Sequence, residues 1–423
     1  MRGSYFNIIL IVGALSLTTV AIGVGIGTAL LSKQTSLEKA RELLKQFPLI
    51  DGHNDLADTY YRLVNNQIYK LDISERLPNT SSQTDIPRLR QGLLGGQFWS
   101  SYVGCSSQDK DAVRRFIEQT DVIKRIVTRY NDVFSLVRSA DDIDRVFKTG
   151  RIASMIGVEG GHAIDSSLAA LRNLYETGVR YMTLTHNCNT PWSESCCDKN
   201  GTYRPTGGIT AFGEIVIKEM NRLGMFADLA HVSAATMRKV LQVSRAPVIF
   251  SHSSAYALCN HPRNVPDDVL NKMAKNGGVV MVNFLNGFVC CPPLCNQTGQ
   301  RATIPMVADH IDYIVKATGS NDHVGIGADY NGGDKFPEGL EDVSGYPYLF
   351  AELIDRGWTD ENLKKLAGAN LIEAFRKMEK VRDRLSKDEV PNDEVIDEPI
   401  VASDTCRTHR KTKDDIDTKL YFY

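Results

Sequence analysis

Eight short apolar runs recur along the middle of the chain, and each has the length of a buried strand. They cover residues 49–53, 97–102, 152–159, 180–186, 225–231, 247–252, 278–284 and 324–329. Amphipathic stretches with apolar residues at helical spacing separate most of them, at residues 111–130, 167–177, 212–223, 234–243, 267–275 and 306–317. Strands that alternate with helices pair in parallel through right-handed crossovers, so this pattern predicts an α/β fold, a closed (β/α)8 TIM-like barrel.

Further helices are predicted outside these units, at residues 36–46 before the first run and at residues 348–357 and 359–384 after the last. The connection between the second and third runs is long for a barrel of this kind. An open, doubly wound sheet therefore remains the structural alternative.

An uncharged apolar run over residues 8–31 precedes the barrel. As a helix it would extend roughly 36 Å, which is enough to cross the apolar core of a bilayer. Because it is longer than the core of a signal peptide, we predict a signal-anchor over residues 1–31, with a cleaved signal peptide as the alternative. Basic residues after the run, Lys33, Lys39, Arg41 and Lys45, favour a cytoplasmic C-terminal domain by the positive-inside rule.

Cysteines and glycosylation sequons oppose that orientation. The chain has nine cysteines. Three N-x-S/T sequons lie at Asn79, Asn200 and Asn296. The clusters at residues 196–197 and 290–295 have the pattern of a disulfide framework rather than a zinc finger. Because disulfides and N-glycans form in oxidising compartments, we predict an extracytoplasmic catalytic domain, attached to a membrane by the N-terminal segment or secreted after signal cleavage.

We expect three segments: the apolar segment 1–31, a barrel domain over 32–385 and a C-terminal arm over 386–423 that contains Cys406. Residues 386–398 are acidic and poor in large apolar groups, which is typical of a solvated arm. Residues 412–423 lack the hydrophobic tail that a lipid-anchor signal requires, so a C-terminal lipid anchor is not expected.

The composition of the chain excludes one class of partner. In 423 residues, 42% are hydrophobic and 24% are charged, which is sufficient for a full core. The formal net charge is -2, and nucleic-acid binding needs clustered Lys and Arg. Nucleic acid is therefore excluded as a partner.

Several of the predicted strands end in His, Glu or Asp, and the C-terminal ends of barrel strands all open onto one face. His53 and Asp55 are two residues apart, which places both side chains on one side of a strand. Glu159 ends an apolar strand, where an unpaired charge would be costly without a nearby cation. His231 and His252 end two further strands.

Each of these residues alone has an ordinary explanation, such as an ion pair or a hydrogen-bonded core histidine. Together they form a ligand set suited to two Zn²⁺ ions, with Glu159 as the natural bridge. Asp329 ends the last strand and would transfer the proton in a metal-assisted hydrolysis, although a helix N-cap is its alternative role.

These residues, in this order, resemble the membrane dipeptidase family of zinc-dependent, amidohydrolase-like barrels. The matching blocks are residues 50–56, 157–162, 184–192, 229–232, 249–255, 263–266, 327–329 and 406–409. The resemblance implies a binuclear zinc dipeptidase: His53 and Asp55 would bind one zinc ion, His231 and His252 the other, and Glu159 both. It further implies that His186 contacts the substrate near the scissile carbonyl, that Arg263 receives the substrate carboxylate and that Asp329 handles the proton. His162 inherits no ligand role.

The resemblance also implies disulfides between Cys105 and Cys188 and between Cys259 and Cys290, and a homodimer bridged through Cys406. The cysteines without a counterpart in the family are Cys196, Cys197, Cys291 and Cys295. Many members of the family carry Tyr where this chain has Leu285, which leaves the substrate preference open.

We therefore expect zinc-dependent hydrolysis of dipeptides. Two rivals remain: a hydrolase of β-lactams or cyclic amides with the same centre, and a catalytically silent surface receptor. The filled ligand positions argue against the receptor.

Overall fold

The computed structural model describes residues 34–78, 82–199, 201–292, 295 and 300–396. The apolar run 8–31, the three sequons and Cys406 lie outside the described residues. Along the described parts of the chain, none of the helices combines the length and the apolar character needed to span a bilayer.

Nine parallel strands form one sheet, and eight of them close into a ring. The strands are β1 Leu49–Asn54, β2 Leu94–Tyr102, β3 Phe134–Leu136, β4 Ile152–Glu159, β5 Val179–Thr183, β6 Phe226–Asp228, β7 Ile249–Phe250, β8 Val279–Val282 and β9 Val324–Ile326. The order around the ring is β1, β2, β4, β5, β6, β7, β8 and β9, and β9 pairs again with β1. Each of the eight predicted runs overlaps one of these strands, so the predicted barrel is confirmed and the open sheet is wrong.

Strand β3 was not predicted. It lies in the long connection between the second and third runs and pairs only with the beginning of β4, where Phe134 lies opposite Ile152. Its three residues are too few to show a periodic pattern.

The helices surround the ring. They are α1 Ser36–Gln46, α2 Leu56–Val64, α3 Ile86–Gln91, α4 Ala112–Arg129, α5 Ala140–Phe147, α6 Leu168–Thr177, α7 Ala211–Leu223, α8 Ala234–Val243, α9 Asp267–Asn276, α10 Asn286–Val289, α11 Ile304–Thr318, α12 Tyr346–Asp355, α13 Asp360–Lys364 and α14 Asn370–Asp388. The predicted helix 359–384 is thus two α-helices joined by the π-helical segment Lys365–Ala369. The second of them runs into the predicted arm, and Glu389 beyond it pairs with Arg245.

Local sequence signals explain where the helices begin and end. Thr35 and Glu38 form a capping box at α1, and the hydroxyls of Ser167 and Ser233 cap α6 and α8. Helices α6 and α9 end at Gly178 and Gly277, which adopt the left-handed conformation that glycine tolerates.

The barrel interior is filled by side chains, including Phe98, Tyr181, Phe226, Ile249 and Met281. All eight residues of β4 are buried. Burial of each large apolar side chain contributes about 1.5–3 kcal/mol, so the strands are held rigidly. The positions of polar groups at the C-terminal ends of these strands are therefore well defined.

Candidate metal centre

The predicted ligand residues meet at one end of the barrel. His53 lies near the end of β1, Glu159 is the last residue of β4, and His231 and His252 follow β6 and β7. All four are buried, as are Asp55 and Asp329. The C-terminal ends of parallel strands bring them together, as in other barrels.

Glu159 lies at the centre of this group. One carboxylate oxygen, Oε1, lies 2.9 Å from His231 Nε2 and 3.4 Å from His252 Nε2. The other, Oε2, lies 3.4 Å from His53 Nε2, which in turn is 3.3 Å from Asp55 Oδ2. The two oxygens of one carboxylate thus face ligands from opposite sides of the centre.

The outer nitrogens of the imidazoles are hydrogen-bonded. His53 Nδ1 lies 2.9 Å from the hydroxyl of Tyr181, which itself donates to the Gly52 carbonyl, so Nδ1 carries the proton. His231 Nδ1 lies 3.1 Å from the amide oxygen of Asn187, which can only accept. In His231 the Nε2 atom is therefore an unprotonated lone pair that faces Glu159. His53 differs: burial opposes the shift, but Tyr181, Glu159 and Asp55 raise its pKa well above the ordinary value, so without a cation its Nε2 also carries a proton.

The ring nitrogens of His231 and His252 indicate whether a cation would fit. His231 Nε2 and His252 Nε2 lie 3.1 Å apart, and burial holds the pKa of both rings well below the ordinary value, so both are neutral. His53 Nε2 and Asp55 Oδ1 are buried without hydrogen-bond partners among the described residues. The neutral rings of His231 and His252, with their nitrogens so close together beside Glu159, provide a place for a cation.

Three overlapping groups have ligand atoms within 4.8 Å of one another: His53, Glu159 and His252; Glu159, His186 and His231; and His53, Asp55 and Asp329. Glu159 belongs to two of them. Imidazole nitrogen and carboxylate oxygen are ligand types that zinc accepts. The residues therefore fit a metal centre.

Asp329 lies beside this centre. Its Oδ1 is 4.0 Å from His53 Nε2, and its Oδ2 accepts a hydrogen bond of 2.8 Å from Asn283. Burial raises the pKa of Asp329 to about 7, with His53 opposing the shift and Asp55 adding to it. Asp329 is thus an ionisable group beside the candidate ligands, and its pKa lies near neutral pH.

The backbone is strained at two of these positions. His231 has φ 63° and Asp329 has φ 68°, both in the left-handed region that residues with side chains rarely occupy. Glycine provides space nearby: a Cβ at Gly332 would lie 2.2 Å from Asp329 Oδ1 and 2.7 Å from Asp55 Oδ2. Strain and close approach both concentrate at the candidate site.

His186 and Arg263 flank the group, as predicted. The ring of His186 lies 4.4 Å from that of His231, and burial lowers the pKa of His186 to about 4, so it is neutral. Arg263 is 2% exposed and forms no ion pair with any described residue. Its Nη2 donates to the His252 carbonyl, its Nε has no partner, and the Phe288 ring covers one face. This buried guanidinium is available to an anion.

His162 lies close by in sequence but belongs to none of the three ligand groups. Its Nε2 bonds to the Val103 carbonyl at 2.9 Å, and its ring packs edge-on against Phe116. Its environment is that of a core residue.

Disulfides fix the loops around the site. Cys105 is bonded to Cys188, which tethers the loop that carries His186 to the end of β2. The pairing of Cys259 with Cys290 is wrong: Cys259 is bonded to Cys291, with 4.9 Å between the Cα atoms, and Cys290 is bonded to Cys295. Cys290 and Cys291 are adjacent and follow helix α10, so similarity of sequence alone could not distinguish them. Cys196 and Cys197 are bonded to each other.

Leu285 follows the end of β8 and packs against Gly333. Its backbone N–H donates to Asn283 Oδ1 at 2.6 Å, and Asn283 in turn contacts Asp329. The residue type that departs from the family pattern therefore lies at the edge of the site.

Sequence reasoning missed the residues whose hydrogen bonds hold the candidate site residues. They are Tyr181, Asn187, Ser251 and Asn283. A single hydroxyl or amide in or after a buried strand carries no motif. Only Ser251 could have been suspected, because it directly precedes His252.

The family model described as Membrane dipeptidase (Peptidase family M19) matches residues 37–389. Dipeptidase 3 of Mus musculus is 45% identical over 373 residues, which are 88% of this chain and 72% of that protein. Dipeptidase 3 of Homo sapiens is 45% identical over 346 residues, 82% of this chain and 68% of that protein.

Solved structures agree in fold. The probable dipeptidase PvdM from Pseudomonas aeruginosa superposes with a TM-score of 0.73 at 22% identity, covering 82% of this chain and 99% of that one. A metallo peptidase from Rhodobacter sphaeroides, liganded with a phosphinate mimic of the dipeptide L-Ala-D-Ala, has a TM-score of 0.70 at 23% identity, covering 78% and 99%.

Proposed function

The chain belongs to the membrane dipeptidase family, and we propose on that basis that it hydrolyses dipeptides with two zinc ions at an extracytoplasmic membrane surface. The observation that carries this proposal is the convergence of three imidazole nitrogens on the two oxygens of Glu159. A bound cation would satisfy the converging nitrogens of His231 and His252 together with the buried charge of Glu159.

In this proposal His53 and Asp55 hold one zinc ion, His231 and His252 hold the other, and Glu159 holds both. Bound zinc would lower the pKa of a water molecule and polarise the scissile carbonyl. The protein contributes ligands in fixed positions and limits the access of water, because the ligand side chains are nearly inaccessible to solvent.

Asp329 transfers the proton. Its pKa is about 7 in the protein alone, and neighbouring cations favour the charged form and so lower it. The residue would then be a carboxylate that accepts a proton from the attacking water and passes it to the leaving amine. The hydrogen bond from Asn283 keeps its second oxygen in place.

His186 and Arg263 position the dipeptide. The neutral imidazole of His186 can donate a hydrogen bond to the carbonyl oxygen as charge develops there. The guanidinium of Arg263 offers a bidentate fork to a carboxylate, one residue beyond the scissile bond. A cation at a fixed distance from the metals would thereby select dipeptides over longer peptides.

The test is to purify the protein from a secretory host and to measure zinc content together with hydrolysis of dipeptides, cyclic amides and β-lactams. We expect about two zinc ions per subunit and turnover of dipeptides. Two zinc ions without turnover would indicate the silent receptor, and preferential opening of cyclic amides would indicate the other hydrolase.

Placement outside the cytoplasm is supported by the four disulfides among the described residues. We propose N-terminal attachment through residues 1–31, glycans on Asn79, Asn200 or Asn296, and a homodimer bridged through Cys406. Deglycosylation should shift the mobility of the protein, and reduction should convert a dimer band to a monomer band. An unchanged mobility in the first experiment would remove the extracytoplasmic assignment.

A further inference from the structure

Asp228 is a buried carboxylate that the proposed reaction does not use. It is the last residue of β6, is fully buried and has no cationic partner in the described part of the chain. Hydrogen bonds replace the missing cation. Oδ1 accepts from the backbone N–H groups of Ala230 and Ser251, at 3.1 and 2.8 Å. Oδ2 accepts from the hydroxyls of Thr183 and Ser251, both at 2.5 Å.

The Ser251 hydroxyl also contacts a candidate metal ligand. Its oxygen lies 2.7 Å from His252 Nδ1. A serine hydroxyl has one hydrogen, and in this geometry that hydrogen is donated to Asp228. Ser251 can therefore only accept from His252, which places the imidazole proton on Nδ1 and leaves Nε2 as a lone pair.

We propose that Asp228 and Ser251 are positioning residues that hold His252 in the tautomer and orientation needed to bind a metal ion. Linked hydrogen bonds run from the Asp228 carboxylate through the Ser251 hydroxyl to the imidazole of His252. The Nε2 atom of this ring faces Glu159 Oε1 at 3.4 Å. A negative charge at the far end also increases the basicity of Nε2, because linked hydrogen bonds polarise one another. The inference rests on the metal centre of the proposed function.

This arrangement is restricted to one side of the centre. His53 is held by the Tyr181 hydroxyl, which ends on the Gly52 carbonyl, and His231 is held by the Asn187 amide. Neither ring is linked to a carboxylate through its outer nitrogen. The effect of Asp228 should therefore be confined to the ion that His252 binds.

Thr183 and Ser251 provide a matched pair of variants. Their hydroxyls donate to the same oxygen of Asp228 at the same distance, and both residues are fully buried. Only Ser251 contacts a histidine. Zinc affinity of the full chain would be measured by competition with a chelator for Ser251→Ala and Thr183→Val, and the thermal midpoint of each metal-free protein would report its folding.

We expect Ser251→Ala to weaken one of the two zinc sites by about 10- to 100-fold, which is the usual effect of removing a partner of a ligating histidine. Thr183→Val should keep both affinities within about threefold of the wild type, since it removes an equivalent bond that leads to no ligand. Equal losses in both variants, or no loss in Ser251→Ala, would overturn the proposal.

Asp228→Asn gives an independent readout. An amide N–H₂ in place of Oδ2 donates to Ser251, so the serine hydrogen turns to His252 Nδ1 and drives the imidazole proton to Nε2. Nitrogen-15 NMR of the metal-free variant should show this inverted tautomer, and zinc binding should weaken more than in Ser251→Ala. An unchanged tautomer would contradict the chain of hydrogen bonds.

Failure of this inference is distinguishable from failure of the proposed function. If the wild type binds two zinc ions and cleaves dipeptides while Ser251→Ala matches it in affinity, only the positioning role is wrong. If the wild type binds no zinc, the metal centre itself is wrong, and the positioning role is overturned with it.

Discussion

The two sides of the candidate metal centre differ in charge. The first half-site, His53, Asp55 and Asp329, combines one imidazole with two carboxylates. The second half-site, His231 and His252, has two neutral imidazoles with the Arg263 guanidinium beside them. Glu159 is shared. A cation is thus attracted to the first half-site by charge, whereas the second depends on the direction and basicity of its lone pairs.

The difference indicates a division of labour. In the proposed function, proton transfer belongs to the first half-site, where burial raises the pKa of Asp329 to about 7 in the protein without metal ions. Recognition of the substrate would belong to the second, where Arg263 and His186 lie. Substitutions on the two sides should therefore change different kinetic parameters, and a substitution at Glu159 should affect both.

The largest effect is expected at Glu159. Glu159→Gln should abolish activity and lower the content of both metal ions, because a neutral amide cannot offset the charge of two adjacent cations. Metal analysis and dipeptide hydrolysis check this. Glu219→Gln is the matched control, since Glu219 is also buried but pairs with Arg172 and Arg222. If Glu159→Gln keeps both ions and its activity, Glu159 is not the shared ligand.

Asp329→Asn tests the proton-transfer side. We expect kcat to fall by about 10²- to 10⁴-fold with little change in metal content, since the amide keeps the shape but cannot take a proton. The same loss together with loss of metal would make Asp329 a ligand instead.

The metal-free protein provides a second readout for Asp329. Its pKa is raised from 3.8 to about 7 in the folded state, so its contribution to stability is full below pH 3.8 and is lost as the pH rises towards 7. The wild type should lose on the order of 1.4 kcal/mol per pH unit in this window relative to Asp329→Asn. Denaturation at several pH values measures this slope, and equal slopes in both proteins would contradict the raised pKa.

The third prediction concerns the recognition side. Arg263→Ala should lower kcat/KM for free dipeptides by at least about tenfold, because charge-assisted hydrogen bonds contribute roughly 1.5–3 kcal/mol each. Dipeptide amides lack the carboxylate and should be poor substrates of the wild type that lose little more in the variant. Equal losses for both substrates would show that Arg263 is structural.

Sequence reasoning predicted the ligands more readily than their supports, for a physical reason. His53, Glu159, His231 and His252 each interrupt or follow an apolar run, and charge at the end of a buried strand is unusual enough to notice. Tyr181 lies inside the buried strand β5, between Arg180 and Met182, and its sequence context indicates only a core residue. Its role depends on a partner 128 positions away, which only the closed barrel brings near.

For the fold, too, the main features could be predicted from the sequence and some details could not. Alternating strands and helices identified the ring, because the barrel strands lie within longer apolar runs of the sequence. Strand β3 lies in the long connection before β4 and was not recognised as such a run. The partner of Cys259 could not be chosen between Cys290 and Cys291, because adjacent residues have the same sequence separation to within one position.

The smallest effect is expected at Tyr181, which anchors the first half-site. Tyr181→Phe removes the hydroxyl that accepts from His53 Nδ1 but keeps the ring, which fills the space that glycine leaves at Gly157. We expect zinc affinity at the first half-site to fall by less than about tenfold, at the lower limit for such partners, because Asp55 and Glu159 still attract the cation. Chelator competition on Tyr181→Phe and Ser251→Ala compares the two sides directly. If the tyrosine variant loses more affinity than the serine variant, charge does not dominate the first half-site, and the contrast between the two halves fails.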